Sequence, residues 1–394
     1  MSKFIPLSVP NLKGKELDYV VDAVESEWVS TGGSYINKFE ENISKYLKVD
    51  KAVACQSGTA ALHLALKLCG VNHEDEVIVP TLTFIAAVNP VRYIGAEPIF
   101  MDCDDTLNMD LDKLEKFCKN ECYLTERGLI NKKTNKIVKA VVIVHIFGNL
   151  ADLEKAKEIC SKYNLKLVED ATEALGSYFT EGKLKGKFAG TIGDFGAYSF
   201  NGNKIITTGG GGMLVSKHEL LIDKAKYLST QAKDDELYYT HNEVGYNYRM
   251  TNVQAAIGVG QLDQLEEFIS NKAKNYKLYK NEIENIEGLR ILEFNKGTRP
   301  NYWFYSLVID SKKFGMDRDE LLKKLNENKI QTRPIWGLIH EQKPYLNNQS
   351  YELQKSDMYR DSILNIPCST NLSEEDILHV VKVLKMVSKN KQGD

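Results

Sequence analysis

The chain reads as an α/β protein: a parallel β-sheet covered by helices on both sides, with a smaller α+β domain behind it. Three features of the pattern carry this reading. Short apolar stretches alternate with helix-period stretches through the first part of the chain, as in successive β–α–β units. Residues 139–147 read as one long strand, apolar without a break over 140–144, the kind buried on both faces of a sheet. Past residue 260 the texture changes to charged helices and an aromatic-rich strand.

Residues 51–54 read as a strand and 59–69 as a helix with Leu62, Leu66 and Cys69 on one face. A strand at 76–79 ends at Pro80, and a short helix follows at 86–93. Residues 98–101 are a strand, 110–118 a helix, 153–163 a helix and 165–169 a second buried strand. Residues 119–138, rich in Lys and Asn, read as a solvated insertion, and Asp102, Asp104 and Asp105 as a solvated strand end. Helices are expected at 253–270 and 272–287, an aromatic strand at 302–309, and amphipathic helices at 318–328 and 374–388. The boundary falls near residue 260, giving domains 1–260 and 261–394, with the N-terminal segment free to pack on the smaller one.

Composition narrows the function. In 394 residues, 43 % hydrophobic, there is enough apolar material for a sizeable core. The 51 basic and 54 acidic residues leave a formal charge of −3, with no basic block, so nucleic acid is not an expected partner. The start, Met-Ser-Lys-Phe-Ile-Pro, has no apolar core of signal-peptide length, and the longest apolar run, 140–144, is too short to span a bilayer. Seven scattered cysteines without a zinc-type ligand group fit free thiols in a reducing cytoplasm, and no metal is expected.

The chemistry concentrates around one lysine. Lys204 is the single lysine between Asp194 and Met213, among small, polar and aromatic residues, and four glycines follow at 209–212. A lysine amine among neutral neighbours can lose its proton and attack a carbonyl, and by itself the pattern equally suits a solvated lysine on a turn. Ser57-Gly58-Thr59 lies between a strand and a helix start, either an anion site for a phosphate or a simple N-cap by Ser57. Asp170 ends a buried strand, where a carboxylate can fix a positive ring nitrogen or cap a helix. Thr251 or Asn252 could cap the helix that follows Asn247-Tyr248-Arg249. Arg333, Trp336 and His340 form a polar–aromatic cluster, either an exposed loop or a substrate contact. Dinucleotide, P-loop, zinc-protease and calcium-loop spacings are absent.

Taken together the segments resemble the sugar aminotransferases of the DegT/DnrJ type, pyridoxal-phosphate enzymes with the aspartate-aminotransferase fold (fold type I). The resemblance rests on motifs in fixed order: Gly-Thr-Ala-Ala-Leu at 58–62, Pro-Thr-Leu-Thr-Phe at 80–84, Val-His-Ile-Phe-Gly at 144–148, Glu-Asp-Ala at 169–171, Ser-Phe-Asn-Gly-Asn-Lys at 199–204 and Tyr-Asn-Tyr-Arg-Met-Thr-Asn at 246–252. It implies that Lys204 bonds the cofactor, Asp170 pairs with its ring nitrogen, Phe84 stacks on the ring, and Ser57, Gly58, Thr59 and Ser199 hold its phosphate. Glu173 stands where the family usually has Gln or His near the ring hydroxyl. Asn252 would reach the neighbouring subunit's cofactor phosphate, in a homodimer with shared sites. Thr31, His145, Arg249, Arg333, Trp336 and His340 would face the sugar nucleotide.

Within the family, 170–173, 201–212 and the 119–138 insertion look like the legionaminic-acid-pathway 4-aminotransferases. The implied substrates are a nucleotide-linked 4-keto-6-deoxy-N-acetylglucosamine and L-glutamate. Two neighbouring chemistries are GDP-perosamine synthesis and a sugar dehydratase. Dehydratase relatives carry His in place of Lys204.

Overall fold

The computed structural model describes residues 3–235 and 237–389. The first half runs α1 (Glu16–Glu25), α2 (Ser34–Leu47), β1 (Ala52–Cys55), α3 (Gly58–Leu68), β2 (Asp75–Pro80), α4 (Asn89–Tyr93), β3 (Glu97–Met101), α5 (Leu111–Asn120), β4 (Cys122–Thr125) and β5 (Gly128–Asn131). There follow β6 (Ile137–Val144), α6 (Leu153–Lys162), β7 (Lys166–Asp170), β8 (Tyr178–Phe179), β9 (Phe195–Ser199), β10 (Gly212–Val215), α7 (Glu219–Ser229), α8 (Asn252–Leu262) and α9 (Leu265–Ile283). The last part is β11 (Leu289–Ile291), β12 (Thr298–Arg299), β13 (Tyr305–Ile309), α10 (Ser311–Phe314), α11 (Arg318–Glu327), β14 (Arg333–Pro334), β15 (Ser350–Tyr351), α12 (Gln354–Ser362), β16 (Ile363–Ile366) and α13 (Glu374–Lys389).

The large sheet has the strand order β1-β10-β9-β7-β6-β2-β3-β15. From β9 to β15 its pairs are parallel, while β10 runs antiparallel to both β9 and β1. The fold is therefore α/β with a mainly parallel sheet. Alternate residues of β6 explain its continuous apolar run: Ala140, Val142 and Val144 pack in one core cluster, Val141 and Ile143 in another. A parallel strand buried on both faces has no polar side to show.

A second, antiparallel sheet of order β11-β13-β16-β14 occupies residues 289–366. The N-terminal segment joins it: Ile5 N–H donates to Lys329 O (2.9 Å) and Cys368 N–H to Leu7 O (2.7 Å).

Several local expectations change. The 119–138 insertion is a β4–β5 hairpin added to β6, with Leu129 and Asn131 fully buried. Its tip is charged and its base is core. Asp102 is likewise buried: Lys113 Nζ donates to one of its oxygens at 2.6 Å and Ser356 N–H to the other at 2.7 Å. It ties α12 to the end of β3. The helix expected at 86–93 splits into a 3-10 turn, Ile85–Ala87, and α4, because Pro90 sits at the start of the second piece. The long charged helices break at Asp263–Gln264, not near 271. Gln264 turns its side chain to Glu16 (2.6 Å), so α8 stays on the N-terminal helices while α9 continues toward the second sheet. The aromatic strand begins only at Tyr305, since Tyr302 has φ 56°.

Candidate active site

A cavity of about 630 Å³ opens at the carboxyl ends of the parallel strands, where open α/β sheets bind ligands. Val144, Asp170 and Ser199, the last residues of β6, β7 and β9, all line it. The start of α3 closes one side, and Trp303, Phe304, Arg333 and Trp336 close the other.

Lys204 lies in the turn after β9, its N–H donating to Asn201 O (3.0 Å). Its side chain is 12 % exposed, and Nζ lies 3.7 Å from Glu173 Oε1. Nζ also stands 3.9 Å from the centre of the Trp303 ring. Burial pulls Lys204 below the usual ammonium range, against the opposing pull of Glu173 and Asp170. Glu173 is pushed up to about 7, chiefly by burial, with Lys204 and the Phe147 N–H opposing. At 3.7 Å the pair is too long for a hydrogen bond, and for both partners desolvation outweighs their attraction. Both groups are therefore shifted toward their neutral forms.

Glu173 is aimed by the backbone. Its Oε2 accepts from Phe147 N–H (2.8 Å), which leaves Oε1 toward Lys204. Phe147 sits in the left-handed region at φ 57°, costly for a bulky side chain. Its ring is locked against Trp336, centre to centre 4.9 Å.

The cavity fits pyridoxal phosphate. Asp170 is a buried carboxyl whose Oδ1 accepts from Thr172 N–H (3.1 Å), and burial raises it above the usual carboxylate range. A positive ring nitrogen beside it would restore its charge. At the other end, Ser57 caps α3 through a bond from Ala60 N–H (3.0 Å). The first helical N–H groups have no intrahelical acceptor, and Gly58 and Thr59 line the cavity, so a phosphate has donors and a favourable dipole. Of the two roles considered for Ser57, the N-cap is the one seen. A Cβ at Gly58 would meet Thr172 and Ser199 at 2.9 and 3.0 Å. One at Gly212 would lie 2.4 Å from the Ser57 backbone, so the glycine run lets β10 close on this loop. Phe84 lines the mouth and is 53 % exposed.

Other expected residues lie elsewhere. His145 is fully buried outside the cavity: Nδ1 accepts from Ala151 N–H (3.2 Å), so Nε2 carries the proton and donates to Glu169 (3.1 Å). Arg249 is buried in an ion pair with Glu40, away from the cavity. The Asn252 amide is occupied within its own chain, donating to Trp28 O (2.7 Å) and accepting from Tyr35 N–H (3.0 Å). Thr31 is exposed outside the cavity lining, and His340 bonds Thr81 Oγ1 (2.7 Å) beyond it. Arg333 and Trp336 do reach the cavity, and among the described residues Arg333 forms no ion pair. Trp303, which the sequence places only within an aromatic-rich strand, lines the cavity as well. Nothing in the sequence links positions 204 and 303. Among the described residues no His, Cys, Asp and Glu side chains gather as a metal site, and all seven cysteines are free and buried.

Fold and site define a pyridoxal-phosphate aminotransferase. The chain belongs to the DegT/DnrJ/EryC1/StrS aminotransferase family, whose model matches residues 10–385. It is 38 % identical over 382 residues to GDP-perosamine synthase of Escherichia coli O157:H7, covering 96 % of this chain and 97 % of that protein. It is 29 % identical to UDP-4-amino-4,6-dideoxy-N-acetyl-beta-L-altrosamine transaminase of Campylobacter jejuni, covering 99 % of each. The crystal structure of DesI in the presence of its TDP-sugar product is similar with a TM-score of 0.87 at 26 % identity, covering 100 % of this chain and 95 % of that one. The protein is a pyridoxal-phosphate-dependent sugar aminotransferase that takes a nucleotide keto-sugar and an amino donor. No helix among the described residues is long and apolar enough to cross a membrane.

Proposed function

We propose that this enzyme aminates a nucleotide-linked 4-keto-6-deoxy-N-acetylglucosamine with L-glutamate as donor, giving the 4-amino-4,6-dideoxy sugar. The observation that carries the chemistry is Lys204, buried and pulled below the usual ammonium range, in a cavity that Asp170 and the start of α3 also line. The sugar is supported by the resemblance of 170–173 and 201–212 to the legionaminic-acid branch. The Campylobacter jejuni relative, a transaminase named for a UDP-linked 4-amino-4,6-dideoxy-N-acetyl sugar, supports it too. A second reading, GDP-perosamine synthesis, is favoured by the 38 % identity to that synthase.

Ser57, Gly58, Thr59 and Ser199 would hold the cofactor phosphate, Asp170 the ring nitrogen, and Phe84 a ring face. Bound there, pyridoxal phosphate supplies a sink for the electron pair left when a carbon loses its proton. Lys204 Nζ first holds the cofactor. Released, it takes the proton from the amine-bearing carbon of glutamate. In the second half it delivers a proton to the sugar carbon being aminated, so one amine serves as nucleophile and then as base and acid. Glu173, pushed up to about 7, is the carboxyl beside that amine and opposes the pull of burial on it. Arg333 offers a fork to the diphosphate and Trp336 a stacking face.

A homodimer belongs to the same proposal. Leu17, Val21, Val24 and Trp28 on and after α1 leave apolar area exposed, and a second copy would cover it. Asn252 would reach the neighbouring subunit's cofactor phosphate across such an interface, since its amide has two N–H groups and Trp28 O takes one. Turnover against a panel of UDP- and GDP-linked 4-keto-sugars tests the proposal, with product mass and stereochemistry determined. Turnover of the N-acetylated 4-keto sugar, on one carrier or the other, is expected, and turnover of GDP-4-keto-6-deoxymannose alone would select the second reading.

A further inference from the structure

A second lysine, Lys272 on α9, is taken out of water at 2 % exposure. Among the described residues no carboxylate pairs with it. Its ammonium donates to two main-chain carbonyls, Trp303 O at 3.0 Å and Cys368 O. Burying an ammonium without a counter-charge is costly, and burial accordingly pulls Lys272 below its usual range. Both carbonyls belong to segments that reach the active cavity. Cys368 N–H holds Leu7, and Leu7 and Trp303 line the cavity wall. The Trp303 indole N–H donates to Asn203 O (2.7 Å), one residue before Lys204. Its backbone N–H donates to Asn301 Oδ1 (3.0 Å), just past the left-handed Tyr302.

We propose that Trp303 is a further residue of the catalytic centre, its ring face receiving the Lys204 ammonium, and that Lys272 is the positioning residue that holds this ring by gripping the Trp303 carbonyl. A ring face attracts a cation at this distance, more so where water is excluded. The free amine of Lys204 thus has a fixed place to stand while it carries the proton it has taken. Asp170 and Glu173 are the other charged groups that face it, and both also favour the ammonium. Burial opposes all three.

This inference rests on Lys204 as the reactive lysine, so the test separates the two. Borohydride reduction of the loaded enzyme, with peptide mass analysis, identifies the lysine that bears the cofactor in every variant. Separately, the apoenzyme is carbamylated with cyanate across a pH series, and the midpoint for Lys204 is read from peptide masses. Trp303→Leu should lower that midpoint by roughly one pH unit, and Trp303→Phe by roughly half as much. Lys272→Met should lower it in the same direction, and the double variant Lys272→Met/Trp303→Leu should match Trp303→Leu alone. An unchanged midpoint in Trp303→Leu overturns the role of the ring. A further drop in the double variant overturns the clamp. Should Lys272→Met fail to fold, Lys272→Arg carries the test. It keeps donors for both carbonyls and should keep the wild-type midpoint, and a lowered midpoint in a folded Lys272→Arg protein would overturn the clamp.

Discussion

Glu169 and Glu173 stand four residues apart, both almost fully buried, and do opposite things. Glu169 points below the sheet end. It accepts from Gly190 N–H (2.7 Å), Ile192 N–H (2.7 Å), Gly193 N–H (2.5 Å) and His145 Nε2 (3.1 Å). Every lone pair of interest is taken by a fixed donor, and the loop after β8 is held against β7. Glu173 accepts one backbone N–H and leaves its other oxygen toward Lys204. The difference teaches what separates a structural from a chemical carboxylate. Saturation by fixed donors builds the fold, whereas an unsaturated oxygen in a cavity leaves a proton free to move. Asp170 lies between the two, with one oxygen on Thr172 N–H.

Substitutions along this line can break the contrast. The largest effect is expected at Lys204 itself: Lys204→Ala should cut turnover by on the order of 10⁴-fold or more, about 5.5 kcal/mol of barrier. Steady-state turnover reads it, and borohydride label on another lysine would refute the assignment. Asp170→Asn keeps the shape and removes the charge, and should cost on the order of 10²-fold in rate with cofactor still bound. Wild-type activity there would contradict the ring-nitrogen role.

Glu169→Gln should act on stability instead. One buried partner of several donors is lost, at about 3 kcal/mol or more, while the folded fraction keeps a nearly normal rate. Chemical denaturation paired with active-site titration checks it. A rate loss as large as that of Asp170→Asn, at unchanged stability, would dissolve the contrast.

At Glu173 the signature is pH. The folded carboxyl, at about 7 against an ordinary 4.5, holds its proton more tightly than the unfolded chain does. Its contribution to stability is present below about pH 4.5 and is lost as pH rises through about 7. The melting temperature of the apoenzyme minus that of Glu173→Gln should therefore fall across this window. A flat difference would mean that Lys204 keeps the carboxylate fully paired.

The smallest effect is expected at the cavity mouth. Arg333→Ala should slow the sugar half-reaction by about tenfold, one charged hydrogen-bonded contact, and leave the glutamate half-reaction alone. Single-turnover measurement of each half distinguishes this from equal losses, which would make the arginine structural.

The sequence by itself carried the parallel-sheet pattern, because strands buried on both faces must be apolar along their centre, as 140–144 is. It also singled out Lys204, Asp170 and the Ser57–Thr59 turn, which lie just after strand ends, while the roles proposed for them came from the ordered motifs of the family. The tertiary structure decided what depends on contacts between distant residues. Arg249 and His145 have the residue types of binding groups, yet Glu40 and Glu169 engage them elsewhere. The 119–138 hairpin looks solvated in composition, but its base is pressed against β6. Trp303 becomes a neighbour of Lys204, 99 residues away, only when α9 and the second sheet fold back over the cavity. Residue type and periodicity act over a few positions, whereas burial and electrostatics are set by whatever part of the chain arrives alongside, and those decide which buried charge holds the fold and which one reacts.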